Sequence, residues 1–227
     1  MPLVDRADSV LVVVDAQPGF VADTPRGEAT VLSIAWLCGM AARIGVPVVA
    51  VEEGPQREGH TDARVLARLP KGTRVIEKPT FGLCGCGAAV EAMRATGRST
   101  AVITGFETDV CVAQSAIELL DLGFRAVVVE DAAYTTSDRE HELGMARMTA
   151  AGVERNHVKG LVFEWLRDVD YAIEIFSGAE DLARRLLGAT ALRLRTEGLR
   201  VLMPERLPAG DGGIAYGQAA VAAVTAP

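Results

Sequence analysis

Short, nearly unbroken β-branched runs alternating with longer stretches of helical period constrain this chain more than any other feature. "SVLVVVDA" (9–16) is apolar at successive positions rather than at every second one, as expected of a strand buried on both faces. "EATVLSIAWLCGMAARIG" (28–45) follows with helical spacing and stops at Gly45, a helix-ending residue. "VPVVAVEE" (46–53) predicts the next strand, and a polar loop runs over 54–72. Strand "TRVIEK" (73–78), helix "GAAVEAMRATG" (87–97) and strand "TAVITG" (100–105) come next. A helix from Cys111 to Gly123, strand "RAVVVEDA" (125–132) and helix 138–152 extend the series. Repeated β–α units of this kind predict a three-layer α/β/α fold, doubly wound around a mostly parallel sheet.

The texture changes near residue 178, where "AEDLARRLLGATALRLRTEG" reads as an Arg-rich amphipathic helix. We therefore expect a core domain over 1–177 and an appendage over 178–227. Of the 227 residues, 49% are hydrophobic and 23% charged, enough apolar material for a sizeable core. The net charge of −7, without a basic stripe, argues against a nucleic-acid partner. No apolar run reaches membrane-spanning length, and "MPLVDRADS" lacks the order of a signal peptide. Cys38, Cys84, Cys86 and Cys111 show no disulfide-framework spacing, so a reducing cytoplasm is the expected compartment.

Sites in an open parallel sheet form beyond the carboxyl ends of the strands, where loops diverge and helix N-termini point inward. Three chemically active residues fall there: Asp15 after the first strand, Lys78 ending the third, and Cys111 in "GFETDVCV" after the fourth. Taken singly, each has an ordinary structural use: a turn aspartate, a surface lysine, a small buried cysteine. Together they make a workable hydrolase, because a lysine can orient a carboxylate that takes the thiol proton and later activates water. A helix start beside Cys111 would also favour its thiolate. The histidines, at 60, 141 and 157, match no strand end, so a Cys–His dyad is the weaker scheme.

At these residues the chain resembles the isochorismatase-like cysteine hydrolases, a superfamily that includes nicotinamidases. The matching stretches are "VVVDAQPGF" (12–20), "EKPTFG" (77–82), "GFETDVCVAQSAIELLDLGF" (105–124) and "VVVEDAAYT" (127–135). The resemblance implies about six strands in the sheet, an Asp15–Lys78–Cys111 triad, a cis peptide between Phe106 and Glu107, and an oxyanion hole from the N–H groups of Glu107 and Cys111. It implies cleavage of a C–N bond in a small carboxamide or carbamoyl compound, without a cofactor, in a homo-oligomer such as a dimer or tetramer. Phe20, Phe81, Phe106 and Tyr134 lie inside or beside these motifs and are the candidate pocket walls. Nicotinamidases of this family hold a metal through an aspartate and two histidines on and after the second strand. Here that region offers only Glu52, Glu53 and His60, so a metal-free site over a solvated acidic loop is expected.

"CGCG" (84–87) is read as small residues that let a helix pack near Lys78 rather than as a metal motif. Two alternatives stand beside the amidase reading. One is vinyl-ether hydrolysis of an isochorismate-like substrate. The other is a non-catalytic assembly module, suggested by a second resemblance. Residues 198–223 are similar to the carboxyl end of the carbamoyltransferase of nickel–iron hydrogenase maturation, in which the counterpart of Asp211 helps a metal site.

Overall fold

A computed structural model describes residues 2–21 and 24–177. The sheet has six strands in the order β3-β2-β1-β4-β5-β6, every pairing parallel. They are β1 (Ser9–Val14), β2 (Val48–Glu53), β3 (Val75–Lys78), β4 (Thr100–Phe106), β5 (Arg125–Tyr134) and β6 (Glu154–Asn156). Every residue of β1 and β4 is buried, which is why these two read as unbroken apolar runs. Edge strand β6 is only three residues long and carries "ERN", and no apolar pattern betrayed it in the sequence.

The helices are α1 (Pro25–Ile44), the short α2 (Pro55–Glu58) and α3 (Ala63–Leu66), α4 (Gly87–Ala95), α5 (Ala113–Asp121), α6 (Asp138–Ala150), α7 (Val158–Leu166) and α8 (Val169–Ser177). Thr24 caps α1 by accepting the Gly27 N–H at 3.0 Å, and Gly45 ends it at φ 75°. Helices α1 and α7 pack on one face of the sheet and α4, α5 and α6 on the other. Trp165 of α7, buried, donates its indole N–H to Ser9 Oγ at 3.0 Å, which ties that helix to the start of β1. The loop over 54–72 contains α2 and α3, two single turns too short for periodicity to reveal.

One compact unit, Met1–Arg167, carries the whole sheet; a second begins at Asp168, and its described part is α8. The expected appendage over 178–227, Asp211 included, lies outside the described residues. Among the described residues, no helix is long and apolar enough to cross a membrane.

Strand order reverses between β1 and β4, so the loops after these neighbours part and leave a crevice at the carboxyl edge. Backbone approach is close there. Gly105 has φ 128°, and a Cβ at that position would collide with the Val14 carbonyl oxygen. The β4–β5 pairing then jumps from Ile103↔Val128 to Gly105↔Ala133, a bulge that redirects the end of β4.

Candidate active site

Asp15 leaves β1 with φ 48°, and its N–H donates to Val51 O at 3.0 Å. That left-handed step, which aspartate tolerates better than most residues, turns the side chain into the crevice. Lys78 ends β3, the far strand of this half of the sheet, and reaches Asp15 Oδ2 at 2.8 Å. Both side chains are 0% exposed, so this is a dry ion pair and not a surface one. Lys78 Nζ also donates to Thr80 O at 2.9 Å. Thr80 is held by its own bond to Gly82 O at 2.8 Å, and Gly85 must lack a side chain because a Cβ would lie 2.5 Å from Thr80 Oγ1. The "CGCG" glycine thus makes room beside the lysine's support.

Cys111 lies in a turn of π-helix, Thr108–Val112, that runs straight into α5. The helical stretch starts three residues earlier than its sequence pattern suggested, because Glu107 O accepts both the Val110 and Val112 N–H groups, at 3.2 and 3.0 Å. The Phe106–Glu107 peptide is cis. From behind, α6 holds this turn: His141 Nδ1 lies 2.9 Å from Thr108 Oγ1, and a Cβ on Gly144 would lie 2.7 Å from Asp109 Cα. A carboxylate oxygen of Asp15, one of Glu53 and the Cys111 sulfur all lie within 4.8 Å of one another.

The electrostatics divide the roles. Burial pushes the Asp15 carboxyl from 3.8 up to about 6, against the pull of the Lys78 ammonium and the Cys111 thiol. Burial, reinforced by the Asp15 carboxylate, also drives the Cys111 thiol far above its ordinary range, with only Lys78 opposing. Desolvation thus outweighs the helix start and disfavours a resting thiolate. Cys38 and Cys84 are likewise pushed up to about 12 by burial.

The region expected to be a solvated acidic loop is instead built in. Glu52 is buried, its Oε2 accepting from Thr61 N and Thr61 Oγ1 at 2.9 Å each and its Oε1 lying 2.9 Å from His60 Nδ1. Its oxygens are consumed in shaping the loop, while Glu53 turns the other way, toward Cys111. Glu52, Glu53 and His60 therefore do not converge, and the metal arrangement of nicotinamidases does not fit these residues.

Gln17 pins Glu53 by exchanging side-chain bonds with its backbone, Glu53 N to Gln17 Oε1 at 2.8 Å and Gln17 Nε2 to Glu53 O at 3.0 Å. Sequence reasoning missed Glu53 as a neighbour of the thiol. Its position at the end of β2, on the same rim as Asp15 and Lys78, was the available signal. Of the candidate walls, Phe20 follows β1 and is partly buried, Phe81 follows β3 and is 54% exposed, and Phe106 ends β4 fully buried. Tyr134 ends β5 beside Phe106, donates to Asp138 Oδ1 at 3.2 Å and lies under the Arg26 guanidinium.

Comparison with known proteins agrees with this architecture. Residues 9–155 match the family model described as the isochorismatase domain. Isochorismatase family protein 1B of Dictyostelium discoideum is 23% identical over 167 residues, covering 72% of this chain and 81% of that protein. Escherichia coli YcaC, described as a probable hydrolase, is 24% identical over 182 residues, covering 76% of this chain and 86% of YcaC. Its crystal structure, an octameric hydrolase of unknown specificity, superposes with a TM-score of 0.70 over 84% of this chain and 97% of that one. YcaC of Pseudomonas aeruginosa, solved with hexane-2,5-diol and covalent acrylamide, gives 0.71 at 27% identity, covering 87% of this chain and 98% of that one.

Proposed function

This chain belongs to the isochorismatase family of hydrolases, and from that premise we propose that it is a cysteine hydrolase cleaving a C–N bond in a small carboxamide or carbamoyl compound. The observation that carries the reading is the convergence of Asp15, Lys78 and Cys111, from three separate strand ends, on one buried point. A second support is the P. aeruginosa relative, which was solved with covalent acrylamide; acrylamide alkylates nucleophiles through its vinyl carbon, so this speaks for a reactive nucleophile in that protein rather than for C–N cleavage.

The chemistry follows from the geometry. Asp15 takes the Cys111 proton, and the thiolate attacks the carbonyl carbon. The N–H groups of Glu107 and Cys111 receive the developing oxyanion, where one such donor is worth about 3 kcal/mol of barrier. Asp15 returns its proton to the departing nitrogen, and ammonia or an amine leaves behind a thioester. Asp15 next takes a proton from water as the hydroxide attacks that thioester, then hands it back to the departing sulfur. Throughout, Lys78 keeps the carboxylate aimed at the sulfur. Phe20, Phe81, Phe106 and Tyr134 are the proposed walls, standing on the same rim.

Vinyl-ether hydrolysis of an isochorismate-like dianion fits less well, since the Glu53 carboxylate lies within 4.8 Å of the thiol. A panel of small amides assayed for ammonia release tests the function. Cys111→Ala should retain the fold by circular dichroism and lose activity by at least about a thousandfold, as removal of a nucleophile does. Comparable turnover in that variant would discard the scheme, and no turnover of any amide by the unaltered chain would favour a non-catalytic module.

A further inference from the structure

Glu53 is the least expected member of the site. Its side chain is only 14% exposed, and the Arg57 guanidinium engages Oε1 at 2.9 Å. Oε2 is buried and receives no hydrogen bond. Asp15, whose side chain is 0% exposed, likewise keeps Oδ1 without a donor. Buried acceptors left unmade are expensive; the Asp15 carboxylate has the Cys111 thiol at hand, so Glu53 Oε2 is the one that calls for a donor from a ligand.

The charge balance says what kind of donor. Lys78 is spent on Asp15 and Thr80, and Arg57 is shared between Glu53 and Glu58, its Nε lying 2.7 Å from Glu58 Oε1. Glu107 has Asp109, Glu140, Glu53 and Glu58 as its charged neighbours, and burial together with these acids holds its carboxyl above the usual range. These neighbours are all acids, and the single Arg57 guanidinium is shared by two of them, Glu53 and Glu58. The site is therefore a negative well, which repels anions and draws positive charge.

We propose that the substrate is a small amide carrying an ammonium group, which docks on the Glu53 carboxylate. The spacing admits such a molecule. The Glu53 oxygen and the sulfur lie within 4.8 Å. An ammonium hydrogen-bonded to that oxygen, at about 2.8 Å, and a carbonyl carbon in attack range of the sulfur, at about 3.3 Å, can then belong to one small molecule, glycinamide being the smallest. The assignment rests on the hydrolase reading, with Glu53 added as its specificity residue.

The test compares glycinamide, its neutral isostere propionamide and anionic malonamate, by ammonia release, in the full chain and in Glu53→Gln. The expected result is a kcat/KM for glycinamide above that for propionamide by about tenfold or more, as one charge-assisted bond supplies, with malonamate lowest. In Glu53→Gln the glycinamide value should fall at least about tenfold further than the propionamide value. Propionamide equalling glycinamide in the unaltered chain, or both falling alike in the variant, would overturn the proposal while leaving the hydrolase reading intact.

A second measurement needs no turnover. Cys111 is labelled with cationic 2-aminoethyl, neutral methyl and anionic 2-sulfonatoethyl methanethiosulfonate, each rate being divided by that reagent's rate with glutathione. A cationic preference that Glu53→Gln abolishes supports cation binding at Glu53 even if no amide is hydrolysed, in which case the hydrolase reading fails and the amide assignment with it. An anionic or absent preference in the unaltered chain overturns the inference whether or not the variant folds.

Discussion

A carboxyl raised to about 6 at Asp15 and a thiol held well above its ordinary range at Cys111 suit the proposed roles of base and nucleophile. The sign of the pH dependence follows. Only ionised Asp15 accepts the proton, so kcat/KM should rise with pH, reach its plateau above about 6, and fall about tenfold per unit below it. A pH–rate profile flat from 5 to 8 would mean that another group is the base. The ion pair makes a separate prediction at this scale. Lys78→Met leaves a fully buried carboxylate without its partner and should cost about 3–5 kcal/mol of stability, read by chemical denaturation. Asp15→Asn with Lys78→Met should cost less than the sum of the single changes, because removing both charges leaves none stranded.

Among the elements, the π turn Thr108–Val112 depends on its neighbour α6 as much as on its own residues. Gly144 brings α6 against the backbone of Asp109, and His141, kept neutral by burial, bridges to Thr108. Gly144→Ala pushes its new methyl into that backbone and shifts the turn that presents Cys111. Displacing a catalytic group by about 1 Å typically costs about a hundredfold. We expect that order of loss in kcat, with circular dichroism and thermal melting showing a folded chain. A variant with unchanged kcat would show that the turn is not held by α6. The loop over 54–72 makes a similar point, since Glu52 builds it from inside while Gln17 fastens it to β1.

At the level of the whole molecule, Asp15, Glu53, Lys78 and Cys111 all belong to the unit Met1–Arg167. A chain ended after residue 177 should therefore hydrolyse amides as the full chain does, while sedimentation or light scattering compares the assembly sizes of the two. Loss of turnover on truncation would give residues 178–227 a catalytic role. The parallel three-layer fold was legible in the sequence because strands buried on both faces must be continuously apolar, and β1 and β4 are. The convergence of Asp15, Lys78 and Cys111 was legible because parallel strands deliver their carboxyl ends to one rim. Strand β6 and the helices α2 and α3 were not, because three or four residues carry no period. Nor was Glu53. Neighbouring glutamates of one strand end look alike in a sequence, and only pairing with β1 and the grip of Gln17 decide which carboxylate meets the thiol and which one closes the loop. Residue type and spacing thus set the layers and the rim, whereas desolvation, which sets how Asp15 and Cys111 divide one proton, exists only once the chain is packed.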